Sequence, residues 1–97
     1  MKPVVFLPEA EQETLEAARY YESQASGLSI DYLSEIERAV VAISESPMTW
    51  SILEGKLRRR LVRRFPFGIL YHIEPKEIVI VAVAHLSRRP GYWRGRI

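Results

Sequence analysis

Ninety-seven residues without a cysteine make one small domain that holds together by its core, with no disulfide framework and no thiolate metal site. Two histidines far apart in sequence, His72 and His85, argue against a metal centre, and no cofactor is expected. No apolar stretch approaches the roughly 20 residues that span a bilayer, and Met1-Lys2 leads straight into a five-residue apolar run and Pro8 rather than a signal peptide, so a soluble cytoplasmic protein with no membrane partner is expected. The net charge of +2 conceals a division: residues 1–50 sum to −6 and residues 51–97 to +8. A field of that shape steers polyanions to the C-terminal half; it also lets acidic helices and a basic sheet attract each other within one fold.

Pro3 to Leu7 reads as a short apolar strand. Pro8 suits a first helical position, and Glu9, Glu11 and Glu13 follow where the helix dipole favours acids. The first helix is predicted from Pro8 to about Gln24, with an apolar side of Ala10, Thr14, Ala17, Ala18 and Tyr21 and a stop at Gly27. A second helix is predicted from an N-cap at Ser29 to about Ser46. Leu33, Ile36, Val40 and Ile43 form its inner stripe, extended by Ile30 and Tyr32, and Asp31, Glu35, Arg38 and Glu45 its outer side. The short loop between the helices predicts an antiparallel hairpin. Met48 to Gly55 reads as a connection with Trp50 and Ile52 pinned to the core.

Three strands follow: Leu57 to Arg64, Phe67 to Glu74 and Ile78 to Ala84, separated by Phe65-Pro66 and Pro75-Lys76. IVIVAVA is apolar at every position and predicts a strand covered on both faces. The predicted fold class is α+β: a helical hairpin on one face of a mainly antiparallel four-stranded sheet, order β-α-α-β-β-β, with the first strand beside the one starting at Leu57.

No Walker loop, dinucleotide fingerprint, nucleophile elbow or zinc-protease motif is present. The candidates for function are cationic and aromatic. Arg58, Arg59, Arg60, Arg63 and Arg64 crowd one short strand; guanidinium forks bind phosphate without needing to lose a proton, yet they also pair with helix carboxylates. His85 ends the central strand, where a near-neutral side chain can act as acid or base or serve as a hydrogen-bonded structural residue. Arg88 and Arg89 stand beside Tyr92 and Trp93, a combination suited to holding phosphates and stacking on bases, or to covering the sheet. The Tyr92 hydroxyl could move a proton if the arginines lowered its pKa.

The pieces EAARYYESQASGLSIDYLSEIERAVVAI, LRRRLVRRFPFGILYHI and IVIVAVAHLSRRPGYWRGR resemble the RelE/ParE superfamily of bacterial toxins over nearly the whole chain. RRFPFGILY and AVAH-x-x-R-x-P-x-Y-W point to its ParE-like, plasmid-stabilisation branch. The resemblance implies a helical hairpin against a twisted antiparallel sheet, and the toxin half of a type II toxin–antitoxin pair. A ParE-like member poisons DNA gyrase by binding; a RelE-like member cleaves mRNA on the ribosome. For the second activity Arg60 or Arg63 would stand for the sheet arginine, Arg88 for the late arginine and Tyr92 for the tyrosine, with Lys56 the one lysine before the central strands and Glu54–His85 the one acid–histidine pair. A non-toxic binding module of the same fold is a third reading. A cognate antitoxin is the implied partner and sets the oligomeric state.

Overall fold

The computed structural model describes residues 2–97, which run β1 (Val4–Phe6), α1 (Pro8–Gln24), α2 (Leu28–Glu45), β2 (Ile52–Glu54), β3 (Leu57–Leu61), β4 (Phe67–Ile73) and β5 (Ile78–His85), closing on a 3-10 turn at Arg94–Arg96. The sheet has five strands in the order β1-β5-β4-β3-β2, not four. The strand that was not expected, β2, forms a hairpin with β3 through Gly55, whose φ of 58° lies in the left-handed region that a turn here requires. Ile52-Leu53-Glu54-Gly55-Lys56-Leu57 carries that hairpin signal, two apolar residues ended by glycine and lysine. The placement of β1 is also corrected: it lies parallel to β5, Val5 opposite Val79, and not beside β3. The core-facing strand β5 has a partner on each side, as an all-apolar strand needs.

Both helices lie on one face. In α1 the inward residues Ala10, Thr14 and Ala18 are small and buried, which lets the helix axis approach the sheet closely. In α2 the inward face is Tyr32, Ile36, Ala39 and Ile43. Relative to the expected stripe the helix is turned: Leu33 is 38% and Ile30 68% exposed, while Glu35, expected outside, is buried. Tyr32 explains the rotation. Its ring sits 5.2–5.4 Å from those of Tyr21, Phe65 and Phe67, a cluster that joins both helices to β4. Each such pair contributes about 0.5–1.5 kcal/mol beyond its burial. Glu35 then keeps one oxygen on Arg38 at 3.0 Å. The expected N-cap at Ser29 is corrected as well: Gly27 precedes the helix at φ 85°, and Ser29 instead gives its N–H and hydroxyl to Glu22 across the hairpin turn. The hydrogen bonds to Ser29 and to the Gly27 N–H hold the Glu22 carboxyl below its usual range.

A bulge in β5 decides which side chains meet which face. Leu70 pairs with Ala82 but Tyr71 with Ile80, so Val81 is an extra residue. Ile78 and Ile80 face the helices; past the bulge so do Val83 and His85, the latter edge-on to Phe67 at 5.1 Å. Val81 and Ala82 both fall on the opposite face, where Leu57, Leu70 and Trp93 cover them.

Candidate functional site

The arginines of β3 divide by strand parity. Arg58 and Arg60 pair with Tyr71 and Ile69 and so share the helix side of the sheet. There Arg58 donates to the carbonyls of Trp50 (2.7 Å) and Met48 (3.3 Å), clipping the connection after α2. Arg60 lies over the Trp50 ring at 4.9 Å and donates to the Leu61 carbonyl. Arg59 points to the other face, its stem lying on Gly68: a Cβ there would sit 3.1–3.2 Å from Arg59 Cδ and Cγ. Arg63 and Arg64 occupy the β3–β4 turn, Arg64 at φ 71° and 3.5 Å from Asp31.

Arg59 borders a cleft of about 210 Å³ between the open face of the sheet and the segment after β5, together with Glu54, His85, Arg88, Arg89, Trp93 and Arg94. Trp93 is 5% exposed and packs on Leu70 and Val81 as the inner wall. Sequence left open whether Tyr92 and Trp93 reach outward or fold back; Trp93 covers the sheet. Glu54 accepts a two-pronged bond from Arg94 at 2.7 and 2.8 Å, which holds its carboxyl below the usual range, and the Arg94 guanidinium rests against Gly91, where any side chain would collide with it. Glu54 is therefore engaged by Arg94 rather than by His85. The His85 Nδ1 accepts the backbone N–H of Ser87 at 3.0 Å, leaving Nε2 as the N–H nitrogen of the neutral ring.

The residue that organises this end of the molecule is Glu13, which the sequence reading placed among helix-dipole acids. It sits one turn too far along α1 for that role. β1 covers the β5 edge only as far as Ile80, and the groups beyond need other partners. Glu13 Oε1 accepts the Val83 N–H at 3.0 Å and Arg96 at 2.9 Å; Oε2 accepts the Tyr92 hydroxyl at 2.6 Å and the second prong of Arg96 at 3.0 Å. Arg96 also donates to the Val81 carbonyl, 3.1 Å. The four acceptor positions of the carboxylate are thus filled. The Tyr92 ring is stacked under Arg88, 3.8 Å from the guanidinium carbon, with Arg96 at 5.1 Å.

That arrangement reverses the expectation for Tyr92. Arg88 and Arg96 do draw its pKa down, but burial, and then the bond to Glu13, outweigh them and push it well above the ordinary tyrosine value. A phenol with the higher pKa in the folded state stabilises the fold below its unfolded pKa of about 10 and loses that contribution as pH rises through the folded value. Stability is therefore expected to fall above pH ~10, and Tyr92→Phe to flatten the slope; denaturant unfolding across that range measures both, and an unchanged slope would contradict the assignment.

The model of the family described as the ParE toxin of the type II toxin–antitoxin system parDE matches residues 4–90. The chain belongs to this family, on the toxin side of such pairs. None of the curated proteins matches it. A solved structure described as the chromosomal ParDE TA system from P. aeruginosa shares the fold at a TM-score of 0.76 and 15% identity, over 90% of this chain and 98% of that one. The family match ends before Tyr92 and Arg96, so the Glu13 clasp lies partly outside it.

Proposed function

We propose that this toxin acts by binding DNA gyrase and trapping its broken-DNA state, with no bond-breaking chemistry of its own, and that a cognate antitoxin neutralises it. The observation that carries the reading is the state of Tyr92. A proton carrier must exchange its proton near neutral pH within reach of the reacting group, whereas this hydroxyl donates to Glu13 and is held protonated. Of the acids that share a cleft with His85, Glu54 is occupied by Arg94, Glu13 by Tyr92, Arg96 and the Val83 N–H, and Glu16 accepts from Gln12. A basic surface with such side chains suits recognition rather than general acid–base work. The outer edge of β2, with Leu53 and Leu61 exposed beside it, offers the antitoxin an apolar and strand-pairing surface.

Expression of the chain alone in bacteria, with DNA and mRNA examined together, tests the reading. The expected result is growth arrest with gyrase-linked DNA breaks and intact mRNA, relieved by co-expression of the antitoxin. Cuts in ribosome-bound mRNA with unbroken DNA would replace it with the nuclease reading.

A further inference from the structure

The guanidiniums around the open-face cleft are unequally satisfied. Arg94 is spent on Glu54, and Arg88 stacks on Tyr92 with Glu13 3.9 Å away. Among the described residues, the side chains of Arg59 and Arg89 have no partner. They come from different elements, β3 and the segment after β5, and border one cleft in which four arginines face a single carboxylate, Glu54. We propose that this cleft binds one phosphodiester group of a nucleic acid, held by Arg59 and Arg89.

Three features favour that anion. A carboxylate is matched by one fork, as Arg94 and Glu54 show, whereas two unpaired guanidiniums supplied by separate elements to one cleft suit a group with acceptor oxygens on several sides. At about 210 Å³ the cleft is smaller than the roughly 300–1,000 Å³ that encloses a whole small-molecule ligand, so it fits a single group rather than a nucleotide. Of the cleft's aromatic rings, Trp93 is packed into the sheet and Tyr92 is stacked under Arg88, so neither is offered for base stacking, and the contact reads the backbone independently of sequence. Gly68 matters here. A methyl group at this position would press on the Arg59 stem and shift its guanidinium without changing any charge. The inference deepens the gyrase reading, because that enzyme's substrate is DNA, but it concerns the isolated chain.

The test follows from the two tryptophans. Trp50 lies beneath Arg60 on the other face, so Trp50→Phe leaves Trp93, in the wall of the cleft, as the sole reporter. In that background the full chain is titrated with inorganic phosphate, a short single-stranded oligothymidylate and a polyglutamate peptide, following Trp93 fluorescence. Phosphate and oligothymidylate are expected to change the signal. Arg59→Ala and Arg89→Ala should each weaken oligothymidylate binding about tenfold or more. Gly68→Ala should weaken it with all charges retained. Arg63→Ala, which removes an equal exposed charge outside the cleft, should change it less than about threefold. Equal weakening by Arg63→Ala would mean a diffuse basic surface and overturn the site. So would a response to polyglutamate alone, which would assign the cleft to an acidic protein partner, or no response to any probe. None of these outcomes depends on gyrase, and a failure of the cellular DNA-break assay would leave this binding result standing.

Discussion

Replacing Glu13 by alanine is expected to cost about 3 kcal/mol of folding free energy, among the largest effects of any polar substitution in the chain. The substitution leaves a guanidinium, a phenol and a backbone N–H without their acceptor. The Arg96 side chain is only 16% exposed, so water cannot fully replace the carboxylate. Breaking a buried pair from one side costs about 3–5 kcal/mol; the bond from Arg96 to the Val81 carbonyl survives and keeps the effect at the lower end. For a domain this size the melting temperature would fall by roughly 12–24 °C. Glu13→Gln keeps one acceptor oxygen, enough for the Val83 N–H, while its NH2 can only donate to the Tyr92 hydroxyl and offers nothing to Arg96; it should lose about half as much. Urea unfolding measures the difference, and amide hydrogen exchange at Val83 locates it. A loss under about 1 kcal/mol in the alanine variant would show that the carboxylate is incidental to the fold.

Phe67→Ala should be at least as costly, at about 3–5 kcal/mol. Phe67 is 7% exposed and touches the rings of Tyr21, Tyr32 and His85, so its removal opens a cavity where both helices meet β4. The helices cannot collapse into the space, because Ala10 and Ala18 already bring α1 close to the sheet. Phe67→Leu keeps most of the volume and should lose about 1–2 kcal/mol. If alanine and leucine behaved alike, the aromatic cluster would not be what fixes the hairpin to the sheet. Calorimetric melting of the two variants beside the parent decides it.

The helices and the three longer strands were legible because their signals are local: Pro8 and Pro47 bracket the hairpin, and Phe65-Pro66 and Pro75-Lys76 separate the strands. What could not be read is pairing between distant segments. Three residues of β1 fit the edge of β5 or of β3 equally well by composition, and only the assembled sheet distinguishes them. The rotation of α2 escaped for a related reason. Tyr32 reads only as an extension of the Leu33 stripe, and its place at the centre of the inward face rests on rings supplied by α1, β4 and the turn before it. The bulge at Val81 leaves no trace in an all-apolar run, yet it turns His85 toward Phe67. Among the site residues, the arginines, His85 and Tyr92 stood out by type. Glu13 did not, because its partners lie 70 to 83 positions away. The division of the β3 arginines into structural clips and free cations follows from parity, which required knowing which face the helices cover.

The parallel seating of β1 on β5 has a consequence for synthesis. The second residue pair of that seam joins Val5 to Val79, and the clasp above it waits for Arg96. A nascent chain can form its helical hairpin early, but β1 has no partner until β5 has been made, at roughly 5–20 residues per second several seconds later. Until then the first strand is an exposed apolar edge and the open-face cleft has no outer wall. Closing so long a loop is entropically slow, so the fold is completed only once β5 and the segment after it have been made. A growing chain of this toxin therefore carries an unfinished surface from β1 until β5 emerges, a window in which a partner already present could meet it before it can act.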